Sequence, residues 1–145
     1  MVQELSFEYL AGFMDGNGSI RVDRRKSRRG EDSFLAVIEV CNTNKDFIER
    51  LRSKFGGTLT HVGIKEEIKH GWKAAWVWRL HGRKGVFFIE NILPYLNLKI
   101  EQAKLYLCFA ETITEKSMGK NYILPDHINE ERRMIFDECN ILNKR

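Results

Sequence analysis

One helix constrains this chain more than any other segment. Leu5 to Asp15 has the pattern of a helix opened by Ser6, whose hydroxyl suits the N-cap, and closed by Gly16 and Gly18. Leu5, Phe7, Leu10, Ala11, Phe13 and Met14 leave it little polar surface. A helix that is apolar on more than one side must be covered on more than one side. Gly12 and Gly16 share one helix face, and with Ala11 they let a second helix come into near backbone contact. The chain holds only one such helix. Its natural partner is its counterpart in a second copy, with a twofold axis between them.

After this helix the periodicity changes. Ile20 to Lys26 and Phe34 to Asn42 predict two strands around a basic turn that contains glycine. Lys45 to Phe55 predicts a helix stopped by Gly56-Gly57, with Phe47, Ile48, Leu51 and Phe55 on its apolar face. Thr58 to Ile64 and Trp72 to Leu80 predict a second hairpin. Val86 to Leu93, Leu98 to Lys116 and Asn129 to Leu142 predict three more helices, punctuated by Pro94 and Pro125. The order α-ββ-α-ββ-α-α-α implies one α+β domain over residues 1–145. Two hairpins form a four-stranded antiparallel sheet, with helices on one face and the other face open.

Composition narrows the partners. With 43% hydrophobic residues in 145, the chain can bury one core. Its net charge of +4 favours anionic partners without naming one. The distribution says more. Between Arg21 and Gly30 stand six basic residues and one acid, whereas from Asp126 onward five acids face four bases. A solvated face of no function would carry the same run. Cys41, Cys108 and Cys139 lie far apart with no CxxC pairing, which argues for reduced thiols over a zinc or disulfide framework. No apolar run reaches the ~18 residues of a membrane span and no signal peptide opens the chain. The expectation is a soluble protein of the cytoplasm or an organelle interior.

The segment Tyr9-Leu10-Ala11-Gly12-Phe13-Met14-Asp15-Gly16-Asn17-Gly18-Ser19-Ile20 resembles the LAGLIDADG motif at nearly every position. It is placed as in that family, at the end of an N-terminal helix that feeds a strand. The resemblance implies a single-motif homing endonuclease subunit that works as a homodimer, intron-encoded, on a long and partly palindromic double-stranded DNA target. It puts Leu10, Ala11, Gly12, Phe13 and Asp15 at the dimer interface. It puts Gly16 and Asn17 at the position of a Mg²⁺ or other divalent cation. Where the helix C-termini of two copies converge, carbonyls and acids gather negative charge that a hard cation relieves. In the family the ligand is an acid, and here it is Asn17, an amide that brings no charge and cannot act as a base. Asp15 corresponds to a more structural acid of the motif. The resemblance therefore implies a cleavage-impaired chain with fold, dimer and DNA binding intact. Pro94 to Ala103 is similar to the family segment that carries the basic residue of the active site, here Lys99, whose cation would polarise the attacking water network or stabilise charge on the phosphate, and Asn42 aligns with a polar residue that orients solvent. A surface lysine and a strand-end asparagine are the plain alternatives. An RNA-splicing maturase or a non-cleaving DNA-binding protein on the same fold are the competing functions.

Alternation assigns faces to the strands. Arg21, Asp23 and Arg25 share one face, with Ile20 and Val22 on the other, and Leu35, Val37 and Glu39 face together in the second strand. Arg21, Arg25 and Glu39 are the candidates for base contact, and Ser19 and Asp23 belong to the same candidate surface. Arg24, Lys26, Arg28 and Arg29, in or beside the turn, suit phosphates. Thr58, Thr60, Lys73 and Arg79 are candidates in the second hairpin, where either face of Trp72 to Arg79 could bury a tryptophan and the parity stays open.

Overall fold

The computed structural model describes residues 4–26, 30–62, 74–119 and 121–144. Helix α1 spans Phe7–Asn17, and the Ser6 hydroxyl accepts the Tyr9 N–H at 3.1 Å, as its sequence implies. The helix runs two residues past Asp15, so Gly16 and Asn17 are still helical. It ends at Gly18, whose N–H reaches the Met14 carbonyl. A Cβ at Gly18 would lie 2.9 Å from Met14 Cα, so the close return of the strand onto the helix requires glycine.

The remaining elements follow in the predicted order. Strands β1 (Gly18–Lys26) and β2 (Asp32–Asn42) precede α2 (Lys45–Phe55), and β3 (Thr58–Val62) and β4 (Ala75–His81) precede α3 (Val86–Ile92). Helix α4 spans Ile100–Glu111 and α5 spans Asp126–Asn143. Two helix boundaries differ from expectation by three residues or more. Helix α4 stops at Glu111 rather than Lys116, where the Thr112 hydroxyl donates to the Phe109 carbonyl at 2.6 Å and competes with the helical ladder. Helix α5 starts at Asp126, directly after Pro125, whose carbonyl accepts the Ile128 and Asn129 N–H groups at 3.1 Å.

The sheet order is β1-β2-β4-β3, antiparallel throughout, so the two hairpins meet at β2 and β4 and leave β1 and β3 at the edges. Ile20, Val22, Phe34, Ala36, Ile38, Val40, Trp78 and Leu80 face the helices and form one core with residues of α1 to α5. Leu10, Ala11 and Met14 of α1 sit at its centre, at 1%, 0% and 1% exposure. The open parity of the second hairpin is settled by Trp78, which is fully buried and donates its indole N–H to the Gly56 carbonyl at 2.7 Å. Val77, Arg79 and His81 therefore face the other way, beside Glu39 and Val37 of β2. Helix α5 covers the outer part of the sheet through Ile135 and Cys139, with Phe136 tilted against Phe34 at 5.3 Å.

Candidate nucleic-acid interface

The sheet face away from the helices carries Ser19, Arg21, Asp23 and Arg25 from β1, as alternation predicts. Glu39 and Cys41 join them from β2, Val77, Arg79 and His81 from β4, and Thr58 and Thr60 from β3. One register row crosses all four strands: Ser19 pairs Glu39, Glu39 pairs Arg79, and Arg79 pairs Thr58. Along it runs a chain of charges. Arg21 donates through Nε to Asp23 at 2.8 Å, through Nη2 to Glu39 at 3.0 Å and through Nη1 to the Ser19 hydroxyl at 3.1 Å. Arg79 donates through Nε to the same Glu39 oxygen. Burial works against both partners' charges. The hydrogen bonds from Arg79 and Arg21 outweigh it and hold the Glu39 carboxyl below its usual range, and those to Asp23 and Glu39 raise Arg21. His81, in register with Val37, is held below the ordinary imidazole range by burial and then by the cations Arg25 and Arg79.

A second cluster forms where α1 ends. The Asp15 carboxylate accepts three consecutive backbone N–H groups, those of Asn97 (2.7 Å), Leu98 (3.1 Å) and Lys99 (3.0 Å). The Lys99 ammonium donates to the Asp15 carbonyl at 3.1 Å. Helix α4 has no capping side chain of its own at Lys99, so Asp15 supplies the acceptor its first turn lacks. This arrangement ties Lys99 to Asp15, which precedes exposed Asn17 by two residues in the last turn of α1, and sets Lys99 beside Gly18 and Ser19 in a groove between β1 and α5. Sequence reasoning missed it, although the uncapped start of α4 was a visible signal.

The sequence matches no family model and no curated protein sequence. Solved structures match it by shape. The homing endonuclease I-CvuI, bound to a DNA target, superposes with TM-score 0.74 at 20% identity, covering 94% of this chain and 80% of its own. The homing endonuclease I-TnaI gives 0.68 at 20% identity, over 98% of this chain and 96% of its own. The LAGLIDADG homing endonuclease I-LtrWI, bound to target DNA, gives 0.65 at 17% identity, over 95% of this chain but 45% of its own. The fold is that of the LAGLIDADG homing endonucleases. In that fold the motif helix is α1, and the strand it feeds is β1.

Against this frame the other predicted residues fall into three groups. Gly12, Gly16 and Tyr9 lie on the exposed side of α1, and a Cβ at Gly12 or Gly16 would meet nothing within 4 Å. Phe13 is half-buried against Phe47 at 4.8 Å. Leu10 and Ala11 correct the expectation: they are consumed by this chain's own core and are not available to a partner's surface. Asp15 is likewise taken up inside the chain by the Asn97–Lys99 segment.

Arg24 and Lys26 follow Ile20 and Val22 onto the helix side of the hairpin. The Arg24 guanidinium lies 5.5 Å over the Phe136 ring, and the Lys26 ammonium is 2.7 Å from Asp32. Asn42 also follows that side, and its side-chain oxygen accepts the Asn44 N–H at 2.7 Å, which leads into the N-cap of α2. Arg28, Arg29 and Lys73 lie outside the described residues.

Proposed function

We propose that this chain is one subunit of a homodimeric, site-specific double-stranded DNA-binding protein of the homing endonuclease type, intron-encoded, whose own cleavage is impaired at Asn17. What carries the reading is the joint placement of Lys99 and Asn17 at the end of the motif helix, at the margin of an open sheet face bearing Arg21, Arg25 and Arg79. A cation at that margin serves to bind a phosphate or to stabilise charge developing on it. The half-length coverage of I-LtrWI supports a second copy of this chain as the other half of the DNA-binding unit.

A divalent cation belongs to this function, and the donor set argues against a competent site in the chain as it stands. The Asp15 carboxylate is occupied by three N–H groups, and Asn17 offers one uncharged amide oxygen. The same observation favours the second reading, a non-cleaving DNA-binding protein on this fold.

One experiment separates these. Duplexes are selected from a randomised library by binding, then offered to the chain and to its Asn17→Asp variant with Mg²⁺. The expected result is binding without cleavage by the first and cleavage of both strands by the second. A variant that binds as tightly and leaves the duplex intact supports the non-cleaving reading. A chain that prefers structured RNA over every duplex supports a maturase.

A further inference from the structure

The two arginines of the cross-sheet row differ in what their guanidiniums have left to offer. A guanidinium presents two edges for paired donation, the side edge of Nε with Nη2 and the end edge of Nη1 with Nη2. Both edges of Arg21 are taken. Its Nε and Nη2 face Asp23 at 2.8 and 3.4 Å, Nη2 also reaches Glu39 at 3.0 Å, and Nη1 reaches Ser19 at 3.1 Å. Its side chain is 28% exposed. Arg79 makes one hydrogen bond among the described residues, through Nε to Glu39, and its side chain is 42% exposed. Among the described residues nothing pairs with its end edge.

We infer that Arg79 is the guanine reader of this face, and that Arg21 with Glu39 forms a relay that aims it. The inference rests on the reading of the sheet as a DNA surface. The chemistry selects the base. Two parallel N–H donors match the adjacent O6 and N7 acceptors that guanine alone presents in the major groove. A long side chain that must be ordered on binding loses rotamer freedom, and a fixed Nε removes most of that loss beforehand. Glu39 provides the fixed point. Arg21, clamped by Asp23 and Ser19, keeps Glu39 ionised and in place from the other side. Glu39 and Arg21 are therefore positioning residues, and neither reads a base itself. Sequence alone favoured Arg21 as a reader because it shows the face and not the bonds that fill the fork.

The test is the base preference of binding at every target position, measured on a randomised duplex library for the chain and for Arg79→Ala, Arg79→Lys, Arg21→Ala and Glu39→Gln. The chain should show a guanine preference of about 5- to 150-fold at one position per half-site. Arg79→Ala and Arg79→Lys should erase that preference and leave the other positions unchanged. Arg21→Ala and Glu39→Gln should weaken the preference at that same position and create no loss elsewhere. Adding either to Arg79→Ala should change nothing further there. Arg79 is exposed enough that both of its variants keep the fold, so its arm of the test stands by itself. A profile unchanged by Arg79→Ala overturns the inference, as does loss of a separate position in Arg21→Ala. A chain with no duplex preference at all overturns the DNA reading, and this inference with it.

Discussion

Asp15 and Lys99 hold each other twice. The Asp15 carboxylate accepts the Lys99 backbone N–H at 3.0 Å, and the Lys99 ammonium donates to the Asp15 carbonyl at 3.1 Å. One acid of the motif thus fixes both the start of α4 and the cation that stands at the end of α1. Replacing it removes the acceptor for three backbone N–H groups, which water restores only in part. Asp15→Ala should therefore cost about 2 kcal/mol in urea unfolding. Asn17→Ala, at an exposed position, should stay within about 0.5 kcal/mol. Equal stability of the two variants would contradict the capping role.

Lys99 should matter to chemistry far more than to docking. In the Asn17→Asp form, Lys99→Met should slow cutting about a hundredfold while duplex affinity changes little, because charge on the phosphate grows only towards the transition state. Single-turnover cleavage compared with a binding titration separates the two. Parallel losses in both would make Lys99 an ordinary phosphate contact.

Dimerisation can be separated from folding at Gly12. Among the described residues outside its own helical turn nothing lies within 4 Å of a Cβ at that position, so the first atom of a Gly12→Leu side chain meets no clash there. The melting curve should be close to that of the unchanged chain when both are measured as monomers. Sedimentation should nevertheless show the variant at about 17 kDa where the chain itself runs at twice that mass. A variant that remains dimeric places the interface elsewhere.

The three thiols report on which face meets DNA. Cys41 is exposed on the open face and Cys108 is exposed on α4, whereas Cys139 is buried and its thiol is pushed up to about 11 by that burial. Alkylation should therefore label Cys41 and Cys108 and spare Cys139. A bound target duplex should protect Cys41 alone. Protection of Cys108 instead would turn the molecule around on its DNA.

Acid should release the cross-sheet row in a defined window. Burial opposes ionisation of Glu39, but its bonds from Arg79 and Arg21 prevail and its folded value is depressed. A depressed carboxyl contributes fully above its unfolded value, about 4.5, and the contribution is lost as pH falls through the lower folded value. The stability gap between the chain and Glu39→Gln should be constant from neutral pH to about 4.5 and close below it. A gap already closing near neutral pH would point to another titrating group.

What the sequence disclosed was local. The order of elements followed from periodicity and caps such as Ser6 and Gly56, because these signals act within a turn or two. The facing of the first hairpin followed from strict alternation of Ile20 and Val22 with Arg21 and Asp23. The second hairpin alternates less cleanly, since Val77 is apolar on the parity of Lys73 and Arg79, but Trp72, Trp76, Trp78 and Leu80 share the opposite parity and mark the buried face. The Gly56 carbonyl, 22 residues from Trp78, accepts its indole N–H and fixes that face inward. The Asp15 contacts to Asn97–Lys99 span more than 80 residues, and the uncapped start of α4 shows that an acceptor is lacking there without showing which residue supplies it. Helix contact is similarly hidden: Leu10 and Ala11 read as partner-facing because composition shows that a residue is buried without showing by what.

The last helix reaches back to the first strand. The Asn143 amide donates to the Ile20 carbonyl at 3.2 Å and accepts from Gln102 at 3.2 Å, so the outer rim of β1 is closed by a residue 123 positions downstream. Synthesis delivers that residue after all four strands. Until it arrives, the nascent sheet carries an unguarded strand able to recruit another chain by edge-to-edge pairing. A product cut short before Asp126 would keep that vulnerability permanently, and light scattering of such a fragment beside the whole chain would expose it. Completion of α5 is then a condition for keeping the sheet from pairing with its neighbours, quite apart from anything the protein does once folded.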